Sequence, residues 1–170
     1  SSMVSESNAT NVYNFYDNFN DGTTTGWNVQ SGTWSAASGY LTETGHAAAW
    51  QGISTPFAMD SAVFEADVAW YGDTGQFFFQ DKQGNTHAMD GYDIGLIKLN
   101  DNAWHNYIIR KNTSGNMEVY YDNVLKGNAT DTTVTGSQYI SLWSYAAGGV
   151  STLYDNITVR KYVPVEPLTQ

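Results

Sequence analysis

Leu153-Tyr154-Asp155-Asn156-Ile157-Thr158-Val159-Arg160 closes the patterned part of the chain, and Phe15-Tyr16-Asp17-Asn18-Phe19-Asn20-Asp21-Gly22 opens it. Both stretches read as strands, and each sets an Asp-Asn pair among aromatic and apolar residues. A fold that lays its first and last strands side by side brings those carboxylates together. Carboxylate oxygens beside an apolar core call for a cation or for hydrogen-bond donors. Simple alternation puts Leu153, Ile157 and Val159 on one side of the last strand. Asp155 falls on that same apolar side unless a bulge intervenes.

The segments between these ends carry the same signature. Helical periodicity is nearly absent, and short alternating runs are separated by Gly, Asn, Asp and Ser. The pattern predicts strands over 11–19, 26–30, 33–36, 40–44, 47–53, 62–71, 76–81, 87–98, 104–111, 116–121, 123–127, 138–146 and 151–161. Asp122-Asn123 between 116–121 and 123–127 predicts a hairpin. In 62–71, Phe64, Ala66, Val68 and Trp70 are expected to face the core. Val63, Glu65, Asp67, Ala69 and Tyr71 are expected on the partly solvated side. In 138–146, Ile140 and Leu142 oppose Tyr139, Ser141, Trp143 and Tyr145. The fold class is all-β, a two-sheet antiparallel sandwich of jelly-roll type.

Composition narrows the function. The chain has 170 residues, enough for one domain with a sizeable core, and a formal charge of −10. Seven Lys and Arg cannot build a phosphate-binding stripe, so nucleic acid is excluded as a partner and membrane insertion is not expected. The absence of cysteine removes disulfides, thiolate metal sites and thiol catalysis together. Many hydroxyls and aromatics with little charge suit an extracellular or cell-surface β-protein. The polar stretch 1–12 and the Pro-containing stretch 163–170 read as linkers flanking a domain over 13–162, so neighbouring domains of the same chain are expected partners.

Taken in order, several short motifs resemble the concanavalin A-like lectin and glucanase superfamily, above all its laminin G-like modules and family 16 glycoside hydrolases. The carriers are Asp17-Asn-Phe-Asn-Asp-Gly22, Trp27, Gly32-Thr-Trp34, Ser38-Gly-Tyr-Leu41, Val63-Phe-Glu-Ala-Asp-Val68, Trp104-His-Asn-Tyr-Ile-Ile-Arg110, Tyr120-Tyr-Asp-Asn-Val124 and Tyr154-Asp-Asn-Ile-Thr-Val159. Ser5-Glu-Ser-Asn-Ala-Thr10 ahead of Phe15 also resembles the end of a domain of unknown function (2341) that precedes lectin-like modules in archaeal and bacterial surface proteins. The resemblance implies a sugar-binding or catalytic face on one sheet. It also implies a structural Ca²⁺ away from that face, held by Asp155 and by backbone oxygens near Asn18 and Gly39, with Asp17 and Asp21 as further donors.

Each candidate site has two readings. Asp155 is a calcium ligand, or it bonds backbone amides at a sheet corner or pairs with Arg110 or Arg160. Glu65 and Asp67 lie on one face of a strand, about 6.5–7 Å apart along it. That spacing suits a retaining carboxylate pair. The Glu-x-Asp-x-(x)-Glu pattern of the resembled glycosidases stays incomplete, because Val68, Ala69 and Trp70 follow. A polar solvated face is the other reading. Tyr139, Trp143 and Tyr145 form a stacking platform for pyranose rings, joined by Trp50, Trp70 or Tyr92, or else they are the core face. The expected function is a non-catalytic carbohydrate-binding or adhesion module whose partner is a carbohydrate or glycoconjugate. A glycoside hydrolase of the same fold and a ligand-free spacer are the alternatives.

Overall fold

The computed structural model describes residues 13–45, 49–69, 75–80, 91–93, 101–130, 136–145 and 152–163, with backbone alone for 75–80 and 91–93. Among the described residues every regular element is a strand. In chain order they are β1 (Phe15–Asp17), β2 (Asn28–Val29), β3 (Trp34–Ser35), β4 (Leu41–Glu43), β5 (Trp50–Ser54), β6 (Ala62–Ala69), β7 (Gly75–Gln80), β8 (Gly91–Asp93), β9 (Trp104–Lys111), β10 (Asn116–Tyr121), β11 (Val124–Thr130), β12 (Tyr139–Tyr145) and β13 (Leu153–Arg160). No helix of the described residues is long and apolar enough to cross a membrane.

The strands form two sheets. Sheet A runs β11-β10-β9-β6-β13-β4-β3, with β1 also paired to β13. Sheet B runs β2-β5-β12-β7-β8. The pairings are antiparallel throughout. The core lies between the sheets and holds Phe64, Ala66, Val68, Tyr107, Ile109, Tyr154, Ile157 and Val159 from sheet A against Ile53, Ile140 and Leu142 from sheet B. The phenol of Tyr154 donates to the Trp143 carbonyl at 2.9 Å, a buried tie between the sheets. The hairpin at Asp122-Asn123 takes φ of 46° and 63°, the backbone a two-residue turn needs to match strand twist.

Three expectations change. The strand expected over 123–127 extends through Val124–Thr130, because its exposed residues keep pairing with β10 as far as Asn116↔Thr130. Of the long strand expected over 87–98, only Gly91–Asp93 is described, and the remainder lies outside the described residues. The third concerns the last strand. Asp155 pairs with Asp67 and Thr158 with Glu65, so β13 carries one extra residue there, and Asn156 takes a φ of 49°. That bulge flips the alternation. Tyr154 joins Ile157 and Val159 in the core, while Leu153 and Asp155 turn to the outer face. The apolar side expected for Leu153 and Asp155 is thereby corrected: an acid that alternation would bury lies half-exposed.

Candidate functional site

The bulge sits at a break in sheet A. One edge of β13 pairs with β4 through Leu153 and Tyr154, and farther along with β1 through Ile157, Thr158 and Val159. Asp155 and Asn156 occupy the gap between the two partners. Asp155 Oδ1 accepts the Asn156 amide at 2.7 Å. On β1, Asp17 spends both oxygens locally. Oδ1 accepts the Phe19 amide at 2.8 Å and Oδ2 the Trp27 indole N–H at 2.8 Å. The first bond holds the buried Phe19 at a φ of 52°, which few bulky side chains adopt.

Burial raises the pKa of Asp155; the Asn156 amide opposes this, and the charges of Asp67 and Asp17 add to it. Burial also raises Asp17, against the Phe19 and Trp27 hydrogen bonds and with the charge of Asp21. The charge of Asp17 thus acts on Asp155 as a like charge and adds to the disfavour of its ionised form. The turns expected to supply further oxygens lie close together, since a Cβ on Gly22 would stand 4.0 Å from Ala37 Cα. Gly39 holds a φ of 76° and donates its amide to Ala36. Asn18 Oδ1 accepts the Asn20 amide and Asp21 Oδ1 the Thr23 amide. Among the described residues no three His, Cys, Asp or Glu side chains converge tightly enough to hold a metal by themselves. A cation here would lean on backbone oxygens, as the donor chemistry of Ca²⁺ permits.

Glu65 and Asp67 belong to the same outer face. Asn106 on β9 stands between them and donates its side-chain amide to Glu65 Oε1 and Asp67 Oδ1, each at 3.1 Å. Asn156 donates to Asp67 Oδ2 at 2.9 Å. The Asp155 alternative of pairing with Arg110 is not taken up: Arg110 lies over the Tyr120 ring and 3.8 Å from Glu118. At the far end of β9, His105 is held between two carboxylates. Its Nδ1 lies 2.9 Å from Asp122 and its Nε2 3.0 Å from Asp101. A neutral imidazole can donate to only one of them, so the geometry favours imidazolium. Burial alone would lower the His105 pKa, but the hydrogen bonds to Asp122 and Asp101 raise it above the ordinary 6.5.

The other outer face belongs to sheet B and has a different chemistry. Register places Tyr145 opposite Trp50, Trp143 opposite Gly52 and Ser141 opposite Ser54, with Asn28 beyond Ser54. Alternation on β12 turns Ile140 and Leu142 inward and leaves Tyr139, Ser141, Trp143 and Tyr145 on the outer side, so the core-face alternative for these aromatics does not hold. The face has a floor and a rim. Trp143 is 1% exposed, its ring so close over Gly52 that a Cβ there would lie 2.8 Å from it. Ser54 and Ser141 are also buried. Trp50 and Tyr145 are half-buried at the rim with ring centroids 5.6 Å apart. Trp143 is thus a floor residue and not an open stacking surface. Gln30 donates to Ser141 Oγ at 3.4 Å. Gln30 Oε1 and Ser54 Oγ are enclosed and have no hydrogen-bond partner.

The structure therefore places the candidate residues on two different faces. Glu65 and Asp67 join Asp155 on sheet A, and Trp143, Tyr145 and Tyr139 stand on sheet B across the core. Tyr92 pairs with Phe79, which pairs with Ile140, so its register row is the alternate of the Trp143 row. Trp70 lies outside the described residues. Sequence reading placed Ser141 on the face of Trp143 without a role and passed over Gln30 and Ser54. The only trace was the alternation Trp50-x-Gly52-x-Ser54, and Gly and Ser in a strand carry little information.

Neither a protein-family model nor a curated protein matches the sequence. Solved structures do match in shape. A carbohydrate-binding module, CBM66, from Bacillus subtilis superposes with a TM-score of 0.64 at 15% identity, over 81% of this chain and 96% of that one. A family 16 endo-glucanase from Bacteroides ovatus does so at 0.57 and 13%, over 86% and 99%. A sialidase superposes at 0.65 and 14%, over 88% of this chain but only 18% of its own length. The fold is that of the concanavalin A-like lectins and glucanases. At such identities the likeness carries the architecture and no residue role. Within the concanavalin A-like fold, the two outer faces of this chain have to be judged on their own side chains.

Proposed function

We propose that this domain is a non-catalytic carbohydrate-binding module of an extracellular or cell-surface protein, and that the outer face of sheet B is its binding face. The observation that carries the reading is the Trp50–Tyr145 pair, half-exposed over a buried floor of Trp143, Ser54 and Ser141. Aromatic rings present flat apolar surface to the C–H faces of a pyranose, and hydroxyl and amide groups beside them take its hydroxyls. The fold's likeness to a carbohydrate-binding module supports a carbohydrate ligand. Against a hydrolase stands the position of Glu65 and Asp67. They lie on the opposite face, each already accepting the Asn106 amide. The test is affinity electrophoresis through gels containing polysaccharides. The intact domain is expected to be retarded by at least one, and Trp50→Ala and Tyr145→Ala are expected to run free. Retardation unchanged in both variants would move the site elsewhere.

We also propose a structural calcium at the break in sheet A. Asp155 would supply its side chain, with oxygens from the Asn18–Asp21 and Gly39 turns. Two half-buried carboxylates whose pKa values are raised, first by burial and then by neighbouring carboxylates, support the reading, since a divalent cation would offset the cost of ionising them. EDTA is expected to lower the melting temperature of the intact domain and to leave Asp155→Ala unmoved. An EDTA-insensitive wild type would remove the metal from the proposal.

A further inference from the structure

The charges of this chain are divided between its sheets. Of its seven Lys and Arg, the five among the described residues are Arg110, Lys111, Lys126, Arg160 and Lys161, all on β9, β11 and β13 of sheet A or directly after it. Lys82 and Lys98 fall outside the described residues. The strands of sheet B contain no Lys, Arg or His, and their one charged residue is Asp93. The chain as a whole stands at −10.

We propose that the sheet B face takes an uncharged glycan, with Ser54 and Gln30 receiving its hydroxyl groups; the proposal rests on the carbohydrate-binding reading above. A sugar carboxylate or sulfate entering a partly desolvated site needs a cationic partner, most often an Arg fork. None of the strands of this face supplies one, and the net negative field repels polyanions over the range salt allows. Neutral hydroxyls fit what is present. Ser54 is fully buried, yet its Oγ has no hydrogen-bond partner. Gln30 donates through Nε2 to Ser141, which leaves Oε1 as an enclosed acceptor without a donor. Buried polar atoms are seldom left unmatched, and an unmatched one keeps hydrogen-bonding capacity that a water or a ligand hydroxyl can take. A sugar hydroxyl can donate to Gln30 Oε1 and accept from Ser54 Oγ. Trp50 and Tyr145 lie two outward rows away on the same strands, about 13 Å along β5, so a further ring of the same oligosaccharide would meet them at the rim.

The test compares two matched panels by affinity electrophoresis and titration calorimetry, using the intact domain. One panel holds neutral polysaccharides (glucans, mannans, xylan, fructan), and the other holds polyuronates, hyaluronan and polysialic acid. Retardation is expected from the neutral panel alone, and it should not change when salt is raised. Ser54→Ala deletes an unmatched hydroxyl, so its melting temperature should equal or exceed that of the wild type. Its affinity, and that of Gln30→Ala, should fall about threefold to tenfold. Binding to the acidic panel that weakens with salt would overturn the uncharged-glycan proposal while leaving carbohydrate binding intact. Wild-type affinity in both Ser54→Ala and Gln30→Ala would overturn the assignment of those residues. Silence from both panels would bring down the carbohydrate reading and this proposal together.

Discussion

The two outer faces of the sandwich are built from the same alternation and do opposite things with it. On sheet A the outward positions carry Glu65, Asp67, Asn106, Arg110, Glu118 and Asp155; Asn106 hydrogen-bonds both Glu65 and Asp67, Arg110 pairs with Glu118 at 3.8 Å, and Asp67 and Asp155 each bond Asn156. On sheet B they carry Trp50, Gly52, Ser54, Ser141, Trp143 and Tyr145, with no cation and two enclosed oxygens unmatched. A face whose polar groups satisfy each other has little left to offer a ligand. A face with aromatic surface and unspent hydrogen-bonding capacity has a good deal. Richness in carboxylates is therefore a poor guide to the site here, and unmatched neutral groups are a better one.

Five substitutions sharpen that contrast, beginning with the largest expected effect. Trp143→Ala empties a fully enclosed site and is expected to cost about 3–5 kcal/mol of stability, read by urea denaturation. Tyr145→Ala at the rim should cost about 1 kcal/mol or less while abolishing glycan binding. If both variants lose the same stability, floor and rim are not distinct. Gly52→Ala pushes a methyl against the Trp143 ring. It is expected to cost about 1–3 kcal/mol, because the ring has to shift within a closed floor. A neutral result would mean the ring is less confined than its 1% exposure implies.

The remaining two concern sheet A and its charges. Asp17 and Asp155 have folded pKa values above the ordinary 3.8. A raised folded pKa gives stability that is present below 3.8 and lost as pH rises through the folded value. In EDTA the domain should accordingly gain stability from these two groups on acidification. Calcium should flatten that slope by stabilising the ionised form, and Asp155→Asn should flatten it without calcium. Melting temperatures across pH 3–6 (about the span of a perturbed carboxylate) give the answer, and an unaltered slope in Asp155→Asn would contradict it. The smallest effect belongs to His105, whose folded pKa lies above 6.5. Its contribution is present below 6.5 and is lost as pH rises through the folded value. His105→Gln should remove a modest stability decline that begins as pH rises above 6.5, and NMR titration of the imidazole checks the sign directly. Tyr121, whose ring lies tilted 4.7 Å from that of His105, should stay protonated throughout, since burial and then the charges of Asp122 and Asp101 push its phenol up to about 12.

Much of the fold was legible because alternation is a local property. Phe64, Ala66 and Val68 announce their face within one strand, and Asp122-Asn123 announces its turn within two residues. The bulge at Asn156 was not legible. A single inserted residue shows only when β13 is laid against β6, and it reverses the side on which Asp155 lies. The candidate site failed to read for a related reason. Glu65 and Trp143 share a pattern of outward alternation, and nothing in either strand says that their outward sides are opposite surfaces of the sandwich. Gln30 and Ser54 meet Ser141 only across three strands, so no spacing in the chain could have grouped them.

The most direct measurement sets the two faces against each other in one binding experiment. Affinity for a neutral polysaccharide that retards the wild type is measured for Trp50→Ala on sheet B and for Glu65→Gln with Asp67→Asn on sheet A. Circular dichroism verifies that each variant is folded. The expected result is loss of binding in Trp50→Ala and wild-type binding in the double carboxylate variant. Wild-type binding in Trp50→Ala together with loss in the carboxylate variant would contradict the assignment of recognition to sheet B.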